Sequence, residues 1–208
     1  MREVRNRTKA MRVADTVRDR IVAGARRHFL AHGFRATTMD DISHELGMSK
    51  KTLYAHFPDK VALVEAALRH KFGELAAGLE EITAGSPLFL PTLQRMLALL
   101  QWHAEEIRPP FVRDIRRAAP ELFQLIETKR SALIHRHFGR VFAEGRREGM
   151  IRKDVPARLA IAVLLAATQG VMNPPRIAEL GTTPKAALSA ILTVVLEGVL
   201  TRTGRAKR

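Results

Sequence analysis

Apolar residues recur at three- and four-residue spacing along nearly the whole chain. Strand-like alternation is scarce, so the pattern predicts an all-α protein. Val17, Ile21, Ala25 and Phe29 fall at successive i, i+4 positions. They predict a first helix from about Asp15 to Ala31, with Arg18, Arg20, Arg26 and Arg27 in solvent and Gly33 closing it. Two short helices follow. Thr38 N-caps the first, Asp41 lies near its positive end, and Ile42 and Leu46 form an inward pair. Gly47 supplies the left-handed residue of a turn and Ser49 caps the second short helix. That helix turns Leu53 and Phe57 inward and leaves Lys50, Lys51, Thr52, Tyr54 and His56 outside. Pro58 stops it, and Asp59 caps a longer helix from Lys60 to about Leu79.

Beyond a break at Gly85-Ser86-Pro87, further helices are predicted over about 91–108, 111–119 and 121–144, punctuated by Pro109-Pro110, Pro120, Gly145 and Gly149. The last two differ in kind, since Leu159 to Pro175 and Ala186 to Leu196 contain no charged side chain. Each run is shorter than the roughly 18–20 residues of a membrane span. Gln169, Gly170, Asn173, Pro174 and Pro175 also interrupt the first, which argues against a membrane partner. A helix apolar nearly all round is otherwise covered on two sides. The expectation is a homodimer through helices at about 156–172 and 184–200, with a four-helix seam. The competing reading makes both of them core helices of a monomer.

The segment from Phe34 and Thr37-Thr38-Met39 through Tyr54-Ala55-His56-Phe57-Pro58-Asp59-Lys60 resembles the DNA-binding head of the TetR family of bacterial transcriptional regulators. A weaker likeness continues through Pro120-Glu121 and the Gly145, Gly149, Arg152, Asp154 spacing. One departure stands out: the second position after Ser49, often Gly, Pro or Ala in that family, is Lys51 here. The resemblance implies a three-helix helix-turn-helix head and a helical C-terminal domain that dimerises and binds small ligands. The expected division is a flexible basic arm (1–13), a DNA-binding domain (14–60), a ligand-sensing and dimerisation domain (61–202) and a basic tail (203–208).

Charge agrees with an anionic partner. The 208 residues carry 35 Lys and Arg against 21 Asp and Glu, a formal charge of +14. There is no Cys, which excludes disulfides, thiol catalysis and Cys-based zinc sites. The charged N-terminus lacks the apolar run of a signal peptide, and a cytoplasmic protein is expected.

These readings converge on a repressor that binds an inverted repeat in double-stranded DNA and is released by a small-molecule effector. Two reading helices about one DNA turn apart would contact it. Lys51 is the candidate for reading guanine, Thr52 for contacting bases, and Lys50 for base edges or nearby phosphates. Thr38, Tyr54, His56 and Lys60 are the candidates for holding phosphates. A Lys at a helix N-terminus opposes the dipole, which for Lys60 suggests an external anion. By the resemblance, the effector binds among Phe72, Met96, Leu99, Trp102, His103, Phe111, Phe123, Ile126 and Met172. Few acidic residues lie on those faces, which favours a neutral or anionic hydrophobic molecule. No cofactor or metal is expected, because His135 and His137 diverge at i, i+2 on a helix and no phosphate loop follows a strand. An enzyme is therefore not expected. The rival of another class is a ligand-independent architectural DNA-binding protein.

Overall fold

In a computed structural model the described residues are 2–85, 88–172 and 174–206, and they form eleven helices with no strand. In chain order these are α1 (Arg2–His32), α2 (Met39–Glu45), α3 (Lys50–His56), α4 (Lys60–Gly85), α5 (Phe89–Glu105) and α6 (Pro109–Ala118). They continue with α7 (Pro120–Arg147), α8 (Ala157–Val171), α9 (Pro174–Glu179), α10 (Pro184–Val199) and α11 (Arg202–Ala206). Ser86, Pro87 and Asn173, read as breakers, lie outside the described residues, as do Lys207 and Arg208 of the tail.

The local punctuation behaves as its chemistry requires. Thr38 and Asp41 form a reciprocal capping box, Thr38 Oγ1 accepting from Asp41 N while an Asp41 carboxylate oxygen accepts from Thr38 N at 2.8 Å. Gly47 takes φ 61° in the turn, and Ser49 accepts from the Thr52 amide to start α3. Asp59 caps α4 by accepting from Ala62 N at 2.8 Å.

Several expectations are corrected. Residues 2–13, read as an arm, continue α1 as helix, since the chain has neither Pro nor Gly before Gly24 to break it. Arg26 is not solvated but buried, for reasons given below. Gly145 does not end α7, which runs on to Arg147. It is a close-approach point, where a Cβ would lie 2.7 Å from the Phe89 ring and 2.9 Å from Ile151. The left-handed terminator is Gly149, at φ 72°. Residues 203–206 of the segment read as a basic tail belong to α11. Thr201 caps it by accepting from Gly204 N, and Thr201 N donates to Met150 O at 2.8 Å. An isolated antiparallel bridge, Ile151 to Leu200, fastens the same junction.

Two hydrophobic cores result. The first gathers Ile21, Ala25 and Phe29 of α1, Ile42 of α2, Leu53 and Phe57 of the reading unit, and Leu63, Val64 and Leu68 of α4. It also recruits Phe111 and Ile115 of α6 and Leu122 of α7, so the head's core extends past residue 60. The second joins α4, α5, α7, α8 and α10 around Leu79, Phe89, Met96, Phe138 and Leu196. Asp114 binds α6 to the head, accepting from Arg35 N at 3.0 Å in the α1–α2 turn.

Candidate functional site

In the head, α3 is anchored by the fully buried Leu53 and by the buried Phe57. On its outer side Lys51, Thr52 and Tyr54 are exposed and His56 is half-buried. The Thr52 hydroxyl lies 2.9 Å from Ser49 Oγ, so it is oriented by the cap. Lys50 is paired with Asp40 at 2.6 Å, both side chains wet, and this bond holds the ammonium above its ordinary pKa. Among the described residues no carboxylate pairs with Lys51, which leaves it as the unneutralised cation of the helix.

Lys60 is placed differently from the expectation. Its ammonium donates to Phe34 O at 3.0 Å and Thr37 O at 3.1 Å and lies 4.4 Å from the Phe34 ring centroid. Those internal acceptors account for a cation at the N-terminus of α4 without an external anion. Thr38 likewise spends its hydroxyl on Asp41, donating at 2.7 Å. Its part in the site is to fix where α2 begins.

The second feature is a cavity in two adjoining chambers of about 130 and 170 Å³, between α4, α5, α6, α7, the C-terminal half of α8, α9 and the N-terminal half of α10. Phe72, Ile126 and Met172 line both, Phe111 and Phe123 line the chamber against α6, and His103 lines the other. Three of the predicted residues lie elsewhere. Met96 is fully buried in the second core, and Leu99 packs over Gly78 between α4 and α5. Trp102 stands on the surface, 55% exposed, with its ring edge-on to His103 at 4.8 Å.

Sequence reasoning missed the charged members of the lining. Lys71 and Arg130 line both chambers, and Glu127 and Arg116 line the one against α6. The signal was available, because Arg130 falls in register with Ile126 and Ile134, and Lys71 with Ala67 and Leu75. A charge inside an apolar stripe is either paired or used. Lys71 is buried and paired: its ammonium donates to His103 O at 3.0 Å and to Glu106 at 2.6 Å. Burial holds its pKa below the usual lysine range, partly offset by Glu106. Glu106 also accepts from one η nitrogen of Arg26 through both of its carboxylate oxygens, at 2.7 and 2.8 Å, while the other η nitrogen pairs with Glu74. Desolvation opposes the charges of Arg26 and Glu106, yet their mutual hydrogen bonds win, raising the one pKa and lowering the other. One carboxylate therefore ties α1 of the head to α4 at the end of α5.

His103 is buried with Nδ1 unpartnered, and burial together with nearby Lys71 lowers its pKa to about 4. Between pH 6.5 and 4 the unfolded chain takes up a proton at this position that the folded protein does not. Stability is therefore full above about pH 6.5 and falls as the pH drops towards 4, by on the order of 2 kcal/mol. Melting temperatures at pH 7.5, 5.5 and 4.5 should show this slope, and His103→Gln should flatten it. Equal slopes for the two proteins would exclude His103 as its source.

Arg130 pairs with Glu127 three residues back, but its Nε is buried without a partner, and burial lowers its pKa. Among the described residues no group of three His, Cys, Asp or Glu side chains is arranged to hold a metal, and no helix is long and apolar enough to cross a membrane.

Residues 21–67 match the family described as bacterial regulatory proteins, tetR family. Over 73 residues the chain is 37% identical to the uncharacterized HTH-type transcriptional regulator YerO of Bacillus subtilis, covering 34% of this chain and 25% of that protein. Over 67 residues it is 33% identical to the HTH-type transcriptional activator FasR of Mycolicibacterium smegmatis, covering 32% of this chain and 31% of that one. These matches span about a quarter to a third of the length of the curated relatives. The fold is similar to that of a TetR-family transcriptional regulator from Agrobacterium tumefaciens, with a TM-score of 0.70, 19% identity, and 90% and 100% of the two chains covered.

Proposed function

We propose that this chain, which belongs to the TetR family of bacterial regulatory proteins, is a cytoplasmic homodimeric repressor. It recognises an inverted repeat through the Ser49–His56 segments of two protomers and leaves DNA when a small hydrophobic molecule fills the two-chambered cavity. The observation that carries this reading is the posture of α3. Capping box, glycine turn and serine cap fix it on the head, and Lys51, Thr52 and Tyr54 are exposed along its outer side. Lys51 reads a base and Thr52 contacts its neighbour, while Tyr54 and His56 hold phosphates. Lys50 joins them only by exchanging Asp40 for a phosphate. Thr38 and Lys60 serve by holding the frame on which α3 rests.

Dimerisation falls to α8 and α10. Leu159, Val163 and Val194 are 55%, 49% and 73% exposed on helices that bury their other faces in the second core. An uncovered apolar strip of that kind favours a second copy over solvent. Functionally the chain divides as a head of 14–60 and a sensing and dimerising part of 61–202. The cavity lies within the second part and reaches the head at Leu30 of α1, touching α4 and also α6, which Asp114 ties to the α1–α2 turn. A molecule lodged there bears on three elements that set the tilt of α3. Activation is the second reading, favoured by one relative's being an activator.

Selection of bound duplexes from randomised DNA tests the proposal. The expected product is one inverted repeat with half-sites about one helical turn apart. Lys51→Ala should then cost about 1–3 kcal/mol on that duplex and blur one position in each half-site. Recovery of unrelated sequences by both proteins would instead support the architectural alternative.

A further inference from the structure

The cavity's wall is apolar except for an excess of positive charge. The chamber against α6 is lined by Lys71, Arg116 and Arg130 with Glu127 as its acidic residue, and the other by Lys71 and Arg130 with none. These cations are not equally occupied. Lys71 is committed to Glu106 and the His103 carbonyl, and Arg116 is an exposed side chain near the Phe123 ring. Arg130 is the member with capacity left. Its Nη2 meets Glu127, but its Nε is buried and has no acceptor. A buried donor without an acceptor is destabilising, and a bound acceptor relieves that cost. A guanidinium with a free Nε edge matches a planar carboxylate, which takes two parallel hydrogen bonds.

The apolar space sets the rest of the molecule. A cavity of about 150 Å³ holds one benzene ring, and the two chambers adjoin along Phe72, Ile126 and Met172. An unbranched or lightly branched body of about ten carbons fits such a space, its charged end at Arg130. Resting on the reading of the cavity as the effector site, we propose that its ligand is an amphipathic monocarboxylate whose carboxylate pairs with Arg130 and whose hydrocarbon body fills the two chambers. A cation of the same length is rejected, because it would be buried beside Lys71 and Arg130.

Decanoate, decan-1-ol and decyltrimethylammonium are the probes, each titrated into the full-length protein below its micellar concentration. Calorimetry reads affinity, and fluorescence of the single Trp, Trp102, which touches His103, supplies a second readout. Decanoate should bind at least tenfold tighter than decanol, with no saturable binding of the cation. Arg130→Gln should weaken decanoate about tenfold and leave decanol within twofold. Equal affinities, a preference for the cation, no binding of either decanoate or decanol, or a preference unmoved in Arg130→Gln would each overturn the proposal. Should that variant not fold, Glu127→Gln frees the guanidinium from its neighbour and should tighten decanoate severalfold; no gain overturns it equally. Release of the selected DNA duplex is measured on the same samples. Carboxylate-selective binding without release overturns the effector reading and supports the chemistry assigned to the cavity. Release of the duplex by decanol as readily as by decanoate, with no carboxylate preference in binding, does the reverse.

Discussion

If α8 and α10 pair as proposed, Val194→Asp should convert the dimer into monomers and lower affinity for the selected duplex at least a hundredfold, about 2.7 kcal/mol or more. Val194 is the most exposed of the large apolar residues of α10, and its neighbours Ile191 and Val195 face inward. A carboxylate there leaves the folded protomer nearly untouched, since the side chain meets solvent in a single copy. In a four-helix seam the same carboxylate is stripped of water against apolar side chains of a partner, with its symmetry mate bringing a second charge to the same strip. Loss of pairing leaves each head with one half-site. Sedimentation at micromolar concentration measures the first effect, and titration of the selected duplex the second. An unchanged melting temperature completes the pattern. A dimer that survives both Val194→Asp and Val163→Asp would move the seam away from α8 and α10.

Glu106→Gln lowers unfolding free energy by about 2–4 kcal/mol, a melting temperature roughly 5–12 °C lower. One carboxylate neutralises two cations from different helices, Arg26 and Lys71, at 2.6–2.8 Å. Removing its charge leaves Lys71 buried beside Arg26 with only Glu74 to offset the pair. The side chain of Glu106 is 28% exposed, so water relieves part of the cost and the figure sits below that of a fully enclosed pair. Chemical denaturation checks the magnitude, and a double-mutant cycle with Arg26→Met isolates the bond between head and sensor. A loss under about 1 kcal/mol would mean that water already bridges these groups.

What could be read from residues alone was local. The Thr38 cap, the Gly47 turn, the Ser49 cap and the Asp59 cap involve partners within four positions, and each formed as its side-chain chemistry dictates. The exposed residues of α3 followed from the same helical phase that buries Leu53. Arg26 was misjudged because its partner lies 80 positions away, and no periodicity reports that a carboxylate will arrive from another helix. Asp114 meets the head across 79 positions for the same reason. In the cavity, side-chain type misled where phase would have helped. Trp102 was expected among the effector contacts, yet His103 next to it shares the inward face with Met96, seven residues back, and so turns Trp102 outwards. Arg130 and Lys71 were passed over for their charge, although their register put them inside.

The cavity lies where the two hydrophobic cores approach each other and takes lining residues from both. A well-packed interior resists compression, so a void of this kind is a place where the molecule is soft. Hydrostatic pressure acts on it first, because collapse or flooding of the void reduces volume while the flanking cores stay intact. An occupant removes that weakness, making the empty and filled proteins differ more in compressibility than in shape.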